Sequence, residues 1–460
     1  MIALPWDGRQ EKALPEISNW FGDLKSTPAK IVPISSTAEI AAILQDEANY
    51  PSPVRAIGSG HSTTQCGEAE GGTVLLMRRL AAIKEIGDES LRVEAGAIHL
   101  DMARALEAAG KQFYVNTEIG SLTAGSAACC GTKDASMPGE FGMVGSYVTG
   151  VRMVMPDGTD RSFSDDDDPS MMQLIRSSYG TFGVIHEVTF RIRALRHLKV
   201  HHETFKIGDF IDRFDELIAR NESMMYYIFP FEGVITVEFR SYQTELSPSP
   251  NRTGWFLRNL GWGNLAPRVA HADSFLPRRF RNELLEAADV AWRATLETFV
   301  QQDYTVPTDQ IISYPAVADQ RRYTFSFCAF PEPEFCQALT DYVDFVKRYE
   351  AAHDFRADLS AVGYRVLQDQ RAQLSYAFDG NVLTIDPVST GEDGWKPFLL
   401  EYNAFCESRG GLPMLNQTFG VTRARADKGF GSRIEAVRRQ RAIFDPKNRL
   451  LNCHFRTLFG

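Results

Sequence analysis

The stretch VRAIGSGHS, residues 54–62, constrains the fold most, because it ends a β-rich run in a turn with two glycines. Gly58 and Gly60 can adopt backbone conformations that other residues avoid, and they let another molecule approach the main chain. Successive amide groups in such a turn form a concave site for an anion. The stretch lacks the third glycine of a dinucleotide fingerprint and the lysine of a phosphate-binding loop. Taken alone, it favours an ordinary turn, and an anion site with His61 at its edge is the alternative.

Two later pieces change that interpretation. The stretch EIGSLTAGSAACCGTKDAS, residues 118–136, is rich in Gly, Ala and Ser and carries no charge between Glu118 and Lys133. Small residues let a flat ligand lie against the main chain, although a tight loop beneath a helix is the simpler alternative. In SSYGTFGVIHEVTF, residues 177–190, Gly180 and Gly183 precede a run that predicts a buried strand.

Composition excludes several classes of protein. The 460 residues are 44% hydrophobic with a net charge of −10, which predicts a large core and argues against general nucleic-acid binding. Seven scattered cysteines without a C-x-x-C motif predict neither a disulfide framework nor a metal site. No run of 18 apolar residues occurs, so no transmembrane segment is predicted. Without a signal-peptide pattern, the expected compartment is the cytoplasm.

Short β-rich runs alternate with helical patterns through residues 1–195, which predicts a mixed α+β unit. Ser36 and Glu39 are spaced as a capping box, and Gly110 is placed to end a second helix. Asp157 and Gly158 are predicted to form the turn of a β-hairpin.

The sequence pattern changes after residue 195. We therefore divide the chain into three parts, 1–195, 196–424 and 425–460. The middle part carries several strand patterns and a clear helix over residues 333–352, while residues 243–300 are expected to be loop-rich and then helical. The last part is predicted as a helix followed by a closing segment that returns to the first part.

Together these pieces resemble the FAD-linked oxidases of the vanillyl-alcohol-oxidase type, and among them the gulonolactone, arabinonolactone and alditol oxidases. VRAIGSGHS is similar to the pyrophosphate turn of that family, and SLTAGSAACCGTKDAS is similar to its second flavin loop. The resemblance is dense over residues 50–195, sparse over 200–400, and returns after 400. It implies an α+β fold: a two-subdomain FAD-binding domain plus a substrate domain whose antiparallel sheet is flanked by helices.

The resemblance also implies a cofactor site for FAD, with His61 joined covalently to the flavin. A second covalent link is not expected, because the cysteine of such relatives would align near Glu118 or Ile119. The residues expected to bind the cofactor are Arg55, Ile57, Gly58, Ser59, Gly60, His61, Ser62, Gly120, Ser121, Thr123, Gly125, Ser126, Cys130, Gly131, Thr132, Gly183, Val184 and Ile185.

On the substrate side the sequence departs from the family. GGLPMLNQTFG, residues 410–420, keeps the proline, but Met414 and Leu415 replace a histidine and a tryptophan, and Gln417 replaces a lysine. A glutamine offers only amide hydrogen bonds where the lysine would supply positive charge. These departures argue against a simple lactone or alditol substrate, but not against the flavin.

A second departure lies in AVGYRVLQ, residues 361–368, where Gly363 replaces the family's acidic residue and Arg365 is kept. Arg365 is the best candidate for stabilising developing negative charge. Gln417 would position the substrate or the flavin edge, and Tyr364 is a weaker candidate. Ordinary packing at a domain interface is the alternative for all three, and no general base is assignable.

The resemblance implies oxidation of a CH–OH group in a sugar-, polyol- or lactone-like small molecule, by hydride transfer to flavin N5. Oxygen would then take the electrons and give hydrogen peroxide, or another acceptor would take them. Ser126 aligns with a glycine or alanine beside the oxygen-reactive face, so a dehydrogenase stays open. Two further alternatives are a tailoring enzyme for a larger, more apolar substrate and a binding protein without chemistry.

Overall fold

A computed structural model describes residues 16–244, 250–273, 277–300, 303–315 and 322–460. Helices and mainly antiparallel sheets alternate along these residues, which confirms the predicted α+β class. Among the described residues, no helix is both long enough and apolar enough to cross a bilayer.

A small parallel sheet carries the first glycine turn. Its part of the chain contains β1 (Ile17–Ser18), β2 (Lys25–Ser26), β3 (Lys30–Pro33), α1 (Thr37–Gln45), β4 (Val54–Ile57) and β5 (Thr73–Leu76). The parallel strands lie in the order β3-β5-β4, and β1 pairs with β2. Ser36 and Glu39 form the predicted capping box at the start of α1. The turn at residues 58–62 therefore leaves the carboxyl end of an edge strand.

A second, six-stranded antiparallel sheet follows. Its elements are β6 (Ile83–Ile86), β7 (Ser90–Glu94), α2 (His99–Ala108), β8 (Lys111–Phe113), α3 (Ala124–Cys129), β9 (Val148–Val154), β10 (Asp160–Ser164), α4 (Pro169–Ile175) and β11 (Val184–Ala194). The order is β10-β9-β11-β7-β6, with β8 also paired to β11. The predicted hairpin is confirmed, because β9 and β10 pair around Gly158, whose φ is +85°.

The middle of the chain forms a larger antiparallel sheet. Its elements are β12 (Leu198–Lys206), α5 (Ile207–Asp212), α6 (Phe214–Ala219), β13 (Ser223–Phe229), β14 (Val234–Tyr242), α7 (Arg252–Leu260), α8 (Ala266–Asp273), α9 (Arg278–Phe299), β15 (Asp303–Thr305), β16 (Thr324–Phe325), β17 (Cys328–Pro331), α10 (Phe335–His353), β18 (Leu359–Val366), β19 (Val382–Ser389) and α11 (Trp395–Ser408). The strand order is β15-β12-β14-β13-β18-β19-β16, and β17 pairs with β19.

Both faces of this sheet are buried, and successive residues alternate between them. On one face Met224 and Tyr226 pack in a core with side chains of α5, α6, α10 and α11. On the other face Met225 and Tyr227 pack with Trp20 from the start of the described chain and with residues near α7 and α9. The second face is therefore the one that meets the first part of the chain.

The structure is more helical than the loop-rich prediction for the described residues that follow Asn251. α7 continues through a π-helical turn, Gly261–Leu265, into α8. Glycines weaken the helical pattern of this segment in the sequence, but in the structure they allow close packing. A Cβ on Gly254 would lie 2.1 Å from the Phe299 carbonyl oxygen, and one on Gly261 would lie 2.6 Å from the Trp292 ring.

The final part of the chain contains α12 (Arg423–Phe430), α13 (Ser432–Phe444) and α14 (Cys453–Phe459). The last helix replaces the irregular closing segment of the prediction, and the Asn452 side chain caps it by accepting a bond from the Phe455 amide at 3.0 Å. Phe455 and Leu458 pack in the same core as Leu91 of β7. The chain thus returns to the six-stranded sheet after leaving the larger one.

Candidate functional site

A cavity that opens to solvent lies where the three glycine-rich pieces meet. Residues from all three pieces and from the segment near residue 416 line it. The predicted residues that the structure brings together here are Arg55, Ile57, Gly58, Ser59, Gly60, His61, Ser62, Thr123, Gly125, Ser126, Cys130, Gly131, Thr132, Gly183, Ile185 and Gln417.

The first wall of the cavity is the turn after β4. Gly60 has a φ of +72°, a conformation that favours glycine, and its carbonyl oxygen accepts a bond from the Trp20 amide at 2.7 Å. The amide groups of residues 59–62 donate no hydrogen bond to the described part of the chain. They are therefore available to the oxygen atoms of an anionic ligand.

The second glycine-rich loop contacts that turn directly. A Cβ on Gly58 would lie 2.1 Å from Thr123 Oγ1, so only glycine permits this approach. Ser59 Oγ donates to the Ser121 carbonyl oxygen at 2.5 Å. Thr123 Oγ1 and Ser126 Oγ lie 3.0 Å apart on the cavity side of the loop. The two loops form one continuous surface although 62 residues separate Ser59 from Ser121.

His61 is held in a defined orientation beside the cavity. Its Nε2 atom lies 2.6 Å from Ser121 Oγ, and its ring centroid lies 5.1 Å from that of Trp20. Burial lowers the pKa of His61 to about 4, so the imidazole is neutral at pH 7. Its Nδ1 atom has no hydrogen-bond partner among the described residues, so a nitrogen lone pair is left for another contact.

Three predicted cofactor residues do not line the cavity. Gly120 packs against the far side of its loop, where a Cβ would lie 2.6 Å from the Ile311 side chain. Ser121 supports His61 and Ser59 instead. Val184 points into the core around Ile34, because it alternates with Gly183 and Ile185 along the strand. Side chains in a strand alternate between its two faces, so Val184 points away from the cavity that Gly183 and Ile185 line.

Arg55 borders the cavity, but its guanidinium group is occupied by the protein. It donates to the carbonyl oxygens of Cys66, Tyr179, Gly180 and Leu450 at 2.7 to 3.2 Å. Burial lowers the pKa of Arg55. The side chain ties the first wall of the cavity to the third piece and to the final segment, so its observed contacts are structural.

The segment after Met414 supplies polar groups to the cavity. Asn416 Oδ1 and Gln417 Oε1 are buried without hydrogen-bond partners among the described residues. Both residues line the cavity, and unpaired buried acceptors are costly unless a ligand satisfies them. Met414 and Leu415, by contrast, are buried in two separate cores and do not line it.

The structure places Tyr364 and Arg365 on opposite faces of β18. Tyr364 lies on the face that meets the flavin side, and its hydroxyl donates to Glu118 Oε2 at 3.2 Å. Arg365 turns to the other face, where its Nε donates to Glu332 Oε2 at 2.6 Å. The expected charge-stabilising role of Arg365 does not match this placement, because strand alternation turns it away from the cavity.

A charged pair that the sequence did not predict lies beside Tyr364. Arg258 of α7 is fully buried, and its Nη2 atom donates to Glu118 and, at 3.1 Å, to Tyr227 Oη. Burial alone would lower the pKa of Arg258, and the Glu118 carboxylate raises it well above its usual value. Burial, together with Glu118, raises the pKa of the Tyr364 phenol well above its usual range. The phenol is therefore protonated and the guanidinium charged.

A second buried pair adjoins the first. Lys133 Nζ lies 2.7 Å from Asp386 Oδ2 and 4.0 Å from the centroid of the Tyr364 ring. Both charged side chains are less than 8% exposed. Tyr364 is thus held between a carboxylate at its hydroxyl and an ammonium group at its ring face.

Comparison with known proteins assigns these features to a family. The FAD binding domain family matches residues 28–164. An L-gulono-1,4-lactone dehydrogenase of Mycobacterium tuberculosis is 25% identical over 346 residues, covering 73% of this chain and 74% of that protein. A mitochondrial L-galactono-1,4-lactone dehydrogenase of Brassica oleracea is 23% identical over 232 residues, covering 49% and 38%. The chain therefore contains an FAD-binding domain and is similar to FAD-linked lactone dehydrogenases.

Solved structures agree with the fold of this flavoprotein. A cholesterol oxidase from B. sterolicum matches it with a TM-score of 0.76 at 14% identity, covering 100% of both chains. A solvent-stable cholesterol oxidase matches with a TM-score of 0.74 at 16% identity, covering 98% of this chain and 100% of the other. At such identities the likeness concerns the fold alone.

The cavity of the flavoprotein fits FAD. The free amide groups of residues 59–62 suit a pyrophosphate, and the small residues of the second loop leave room for a flat ring. The unpaired oxygens of Asn416 and Gln417 suit ligand N–H groups. When bound, FAD supplies a two-electron acceptor, and the protein supplies its binding and orientation.

Sequence reasoning missed Glu118 and Arg258 as functional candidates. One signal was present, since Glu118 is the single charge in the otherwise uncharged stretch from 112 to 132. Its partner lies 140 residues away on a helix that the sequence presented as loop-rich, and no local pattern joins the two.

Proposed function

We propose that this flavoprotein oxidises a CH–OH group of a sugar-, polyol- or lactone-like molecule to a carbonyl, with hydride transfer to flavin N5. The electrons pass to oxygen, with hydrogen peroxide as product, or to another acceptor. The FAD cavity carries the proposal, and the printed activities of the lactone dehydrogenase relatives support the class of donor.

The proton of the substrate hydroxyl is taken up by the Glu118 group on the flavin-facing side of β18. Glu118 is the carboxylate of the second flavin loop, and it already accepts hydrogen bonds from Tyr364 and Arg258. Arg258 stabilises negative charge there, a role that the sequence had assigned to Arg365. Gln417 remains a positioning residue at the cavity wall, because its side-chain oxygen is free to accept a bond.

A second candidate substrate is a larger and more apolar alcohol. The rings beside His61 favour it, because Trp20, Tyr314 and Tyr323 lie with centroids 5.6 to 5.9 Å apart. Such a wall offers stacking and few hydrogen bonds to a polyol. Tyr227 and Phe229 extend the same apolar cluster from β13.

Substrate class is tested by anaerobic bleaching of the flavin absorbance. L-gulono-1,4-lactone, an alditol and an aromatic secondary alcohol are supplied separately to the holoprotein. Bleaching by either of the first two supports the sugar-type donor, and bleaching by the aromatic alcohol alone supports the apolar alternative. If none of a broad panel of alcohols bleaches the flavin, oxidation of CH–OH groups is wrong.

The electron acceptor is tested on the same reduced protein. Ser126 lines the cavity, so its replacement by the smaller glycine should speed reoxidation by oxygen more than reoxidation by a dye. Peroxide released in proportion to the substrate consumed supports an oxidase. Reoxidation by the dye alone supports a dehydrogenase.

We propose in addition that His61 is joined covalently to the flavin. The neutral ring and its free Nδ1 support this bond, while Ser121 holds the other nitrogen. The denatured holoprotein should then exceed the chain mass by the mass of FAD, and His61→Ala should remove that excess. His99→Ala is the matched control, since His99 is buried against Phe113 and does not line the cavity. An unmodified mass in the native sequence rejects the bond without touching the redox proposal.

A further inference from the structure

Helix α9 turns most of the charged side chains that the structure describes toward the rest of the protein. The partners of these side chains lie in the larger sheet, in neighbouring helices or in the segments that connect these elements. The inward contacts are Arg281 with Glu392, Glu286 with Arg356, Arg293 with Glu232, and Glu297 with Thr204. An ordinary surface helix has the reverse arrangement, with apolar residues inside and charges in the solvent.

The outward face of α9 is almost free of charge. Phe280 is 62% exposed, Leu284 41% and Val290 53%. Among the α9 side chains that the structure describes, Glu283 is the single charged residue in the exposed class. Between Phe280 and the end of the helix, a regular stripe of exposed residues runs along this face: Phe280, Leu284, Ala287, Ala291, Ala294 and Thr298.

The neighbouring helices widen this surface. Phe256 of α7 is 64% exposed and Leu265 of the π-helical turn is 52% exposed. Of the eleven large hydrophobic residues that are exposed in the described chain, eight lie between 256 and 299. Apolar patches of this extent on a protein surface mark interaction sites. We call this surface, formed by the outward sides of α7, α8 and α9, the apolar helix face.

The spacing of the α9 stripe identifies what fits it. Its residues are separated by steps of four and three, the repeat of helices that pair along their length. In an antiparallel pair centred between Ala287 and Ala291, Ala287 meets Ala291 of the partner subunit. In the same register Leu284 meets Ala294 of the partner subunit, and Phe280 meets the partner's Thr298. Each large side chain faces a small one, so the stripe is complementary to itself.

We propose that the apolar helix face binds the same face of a second copy of this chain, with α9 antiparallel to its counterpart about a two-fold axis. The 22 residues of α9 span about 33 Å, and a layer two helices wide measures about 20 Å. The resulting area of roughly 650 Å² is close to the about 800 Å² that each partner contributes to a standard interface.

Charge favours a second copy over a lipid surface. The chain carries a net charge of −10, and four of the seven arginines between 252 and 299 pair with carboxylates of the protein itself: Arg252, Arg258, Arg281 and Arg293. Helices that lie on membranes carry basic residues along their polar face. In α9 the polar face is turned inward and engaged with the protein's own side chains. The inner side of this layer also delivers Arg258 to Glu118, so the interface lies directly behind the candidate site.

The oligomeric state of the holoprotein tests the proposal. Light scattering at micromolar concentration should give twice the 51.5 kDa chain mass. Leu284→Glu should give a monomer with unchanged flavin content, because the new charge would be buried against the partner's Ala294. Ile443→Glu is the matched control, because Ile443 is 69% exposed outside this face and should leave the dimer intact.

The register has its own test. Ala294→Lys alone should also give a monomer, since it buries an unpaired charge. Mixing it with the Leu284→Glu protein should restore a dimer, because the two new charges face each other across the seam. A monomeric native protein, or a dimer that survives Leu284→Glu, overturns the proposal. Sedimentation of the native chain with phosphatidylglycerol vesicles, lost on Leu284→Glu, would assign the face to lipid instead and overturn it as well.

Discussion

The two walls of the candidate site are built in different ways. On the flavin side, the walls are main chain and small residues, and contacts such as Gly58 against Thr123 depend on the absence of side chains. On the sheet side, the side chains next to the cavity are large and charged: Glu118 adjoins the lining residue Ile119 in the chain and contacts Tyr364 and Arg258. The first wall binds by shape and amide groups, and the second provides charge and proton transfer. Binding of the cofactor and turnover should therefore respond to different substitutions.

Among the substitutions that test the difference between the two walls, Gly58→Ala should have the largest effect. The new Cβ would lie 2.1 Å from Thr123 Oγ1, so the two loops must separate and the flavin wall is lost. We expect flavin content, measured as the ratio of 450 to 280 nm absorbance, to fall at least about tenfold. Thr123→Ala in the same chain removes the clashing atoms and should restore part of the flavin.

The matched control is Gly208→Ala, because a Cβ at Gly208 has nothing within 4 Å. Its flavin content should equal that of the native protein. Full flavin content in Gly58→Ala would show that the close contact of the two loops is not required.

Glu118→Gln should affect turnover and leave the flavin bound. The amide cannot accept a proton and leaves the buried Arg258 without its counter-charge. We expect kcat with the best donor to fall about 10²-fold or more, and the unfolding free energy to fall by about 3 kcal/mol. Stopped-flow reduction of the flavin and thermal unfolding measure the two effects.

Glu107→Gln is the control, since Glu107 pairs with Arg252, which is 57% exposed, and should cost at most about 1 kcal/mol. If Glu118→Gln loses flavin together with activity, the two walls are not separable.

The smallest effect concerns acid stability of the flavin side. Burial lowers the pKa of His61, His99 and His454 to about 4, against an unfolded value of 6.5. The unfolded chain therefore binds more protons between pH 6.5 and 4, and folding stability falls as the pH is lowered through that window. Each histidine contributes a slope of at most about 1.4 kcal/mol per pH unit.

Replacing His99 by glutamine should remove the contribution of one histidine from the slope of the unfolding free energy against pH. Denaturant unfolding at pH 6.5, 5.5 and 4.5 measures that slope. An unchanged slope for His99→Gln would show that the ring is not kept neutral by burial.

The difference between the two walls also explains which parts of the site the sequence could predict. The flavin wall consists of contiguous stretches in which glycine and small residues carry the signal, so fifteen of the eighteen residues predicted to bind the cofactor line the cavity. Val184 and Arg365 were misplaced because a strand turns neighbours to opposite faces, and the phase of that alternation depends on the partner strands. Hairpins and capped helices were predictable because their signals lie within a few residues.

The sheet wall was not predictable, because its partners come together only in the folded chain. Lys133 and Asp386 are 253 residues apart, and Tyr364 and Glu118 are 246 apart. The helical run from Arg252 was hidden for another reason. Its glycines reduce the local helical signal, and tertiary packing against α9 overrides that deficit.

Arg55 has a consequence for how the protein is made. Its guanidinium group is satisfied by carbonyl oxygens at residues 66, 179, 180 and 450. Synthesis proceeds from the amino terminus, and domains generally fold as they emerge. The segment that matches the FAD binding domain, residues 28–164, is complete long before Leu450 exists. A nascent chain therefore holds a buried cation without two of its partners until residues 179–180 appear, and without the last until residue 450. The side of the cavity that Arg55 ties together is accordingly completed late on the ribosome or after release.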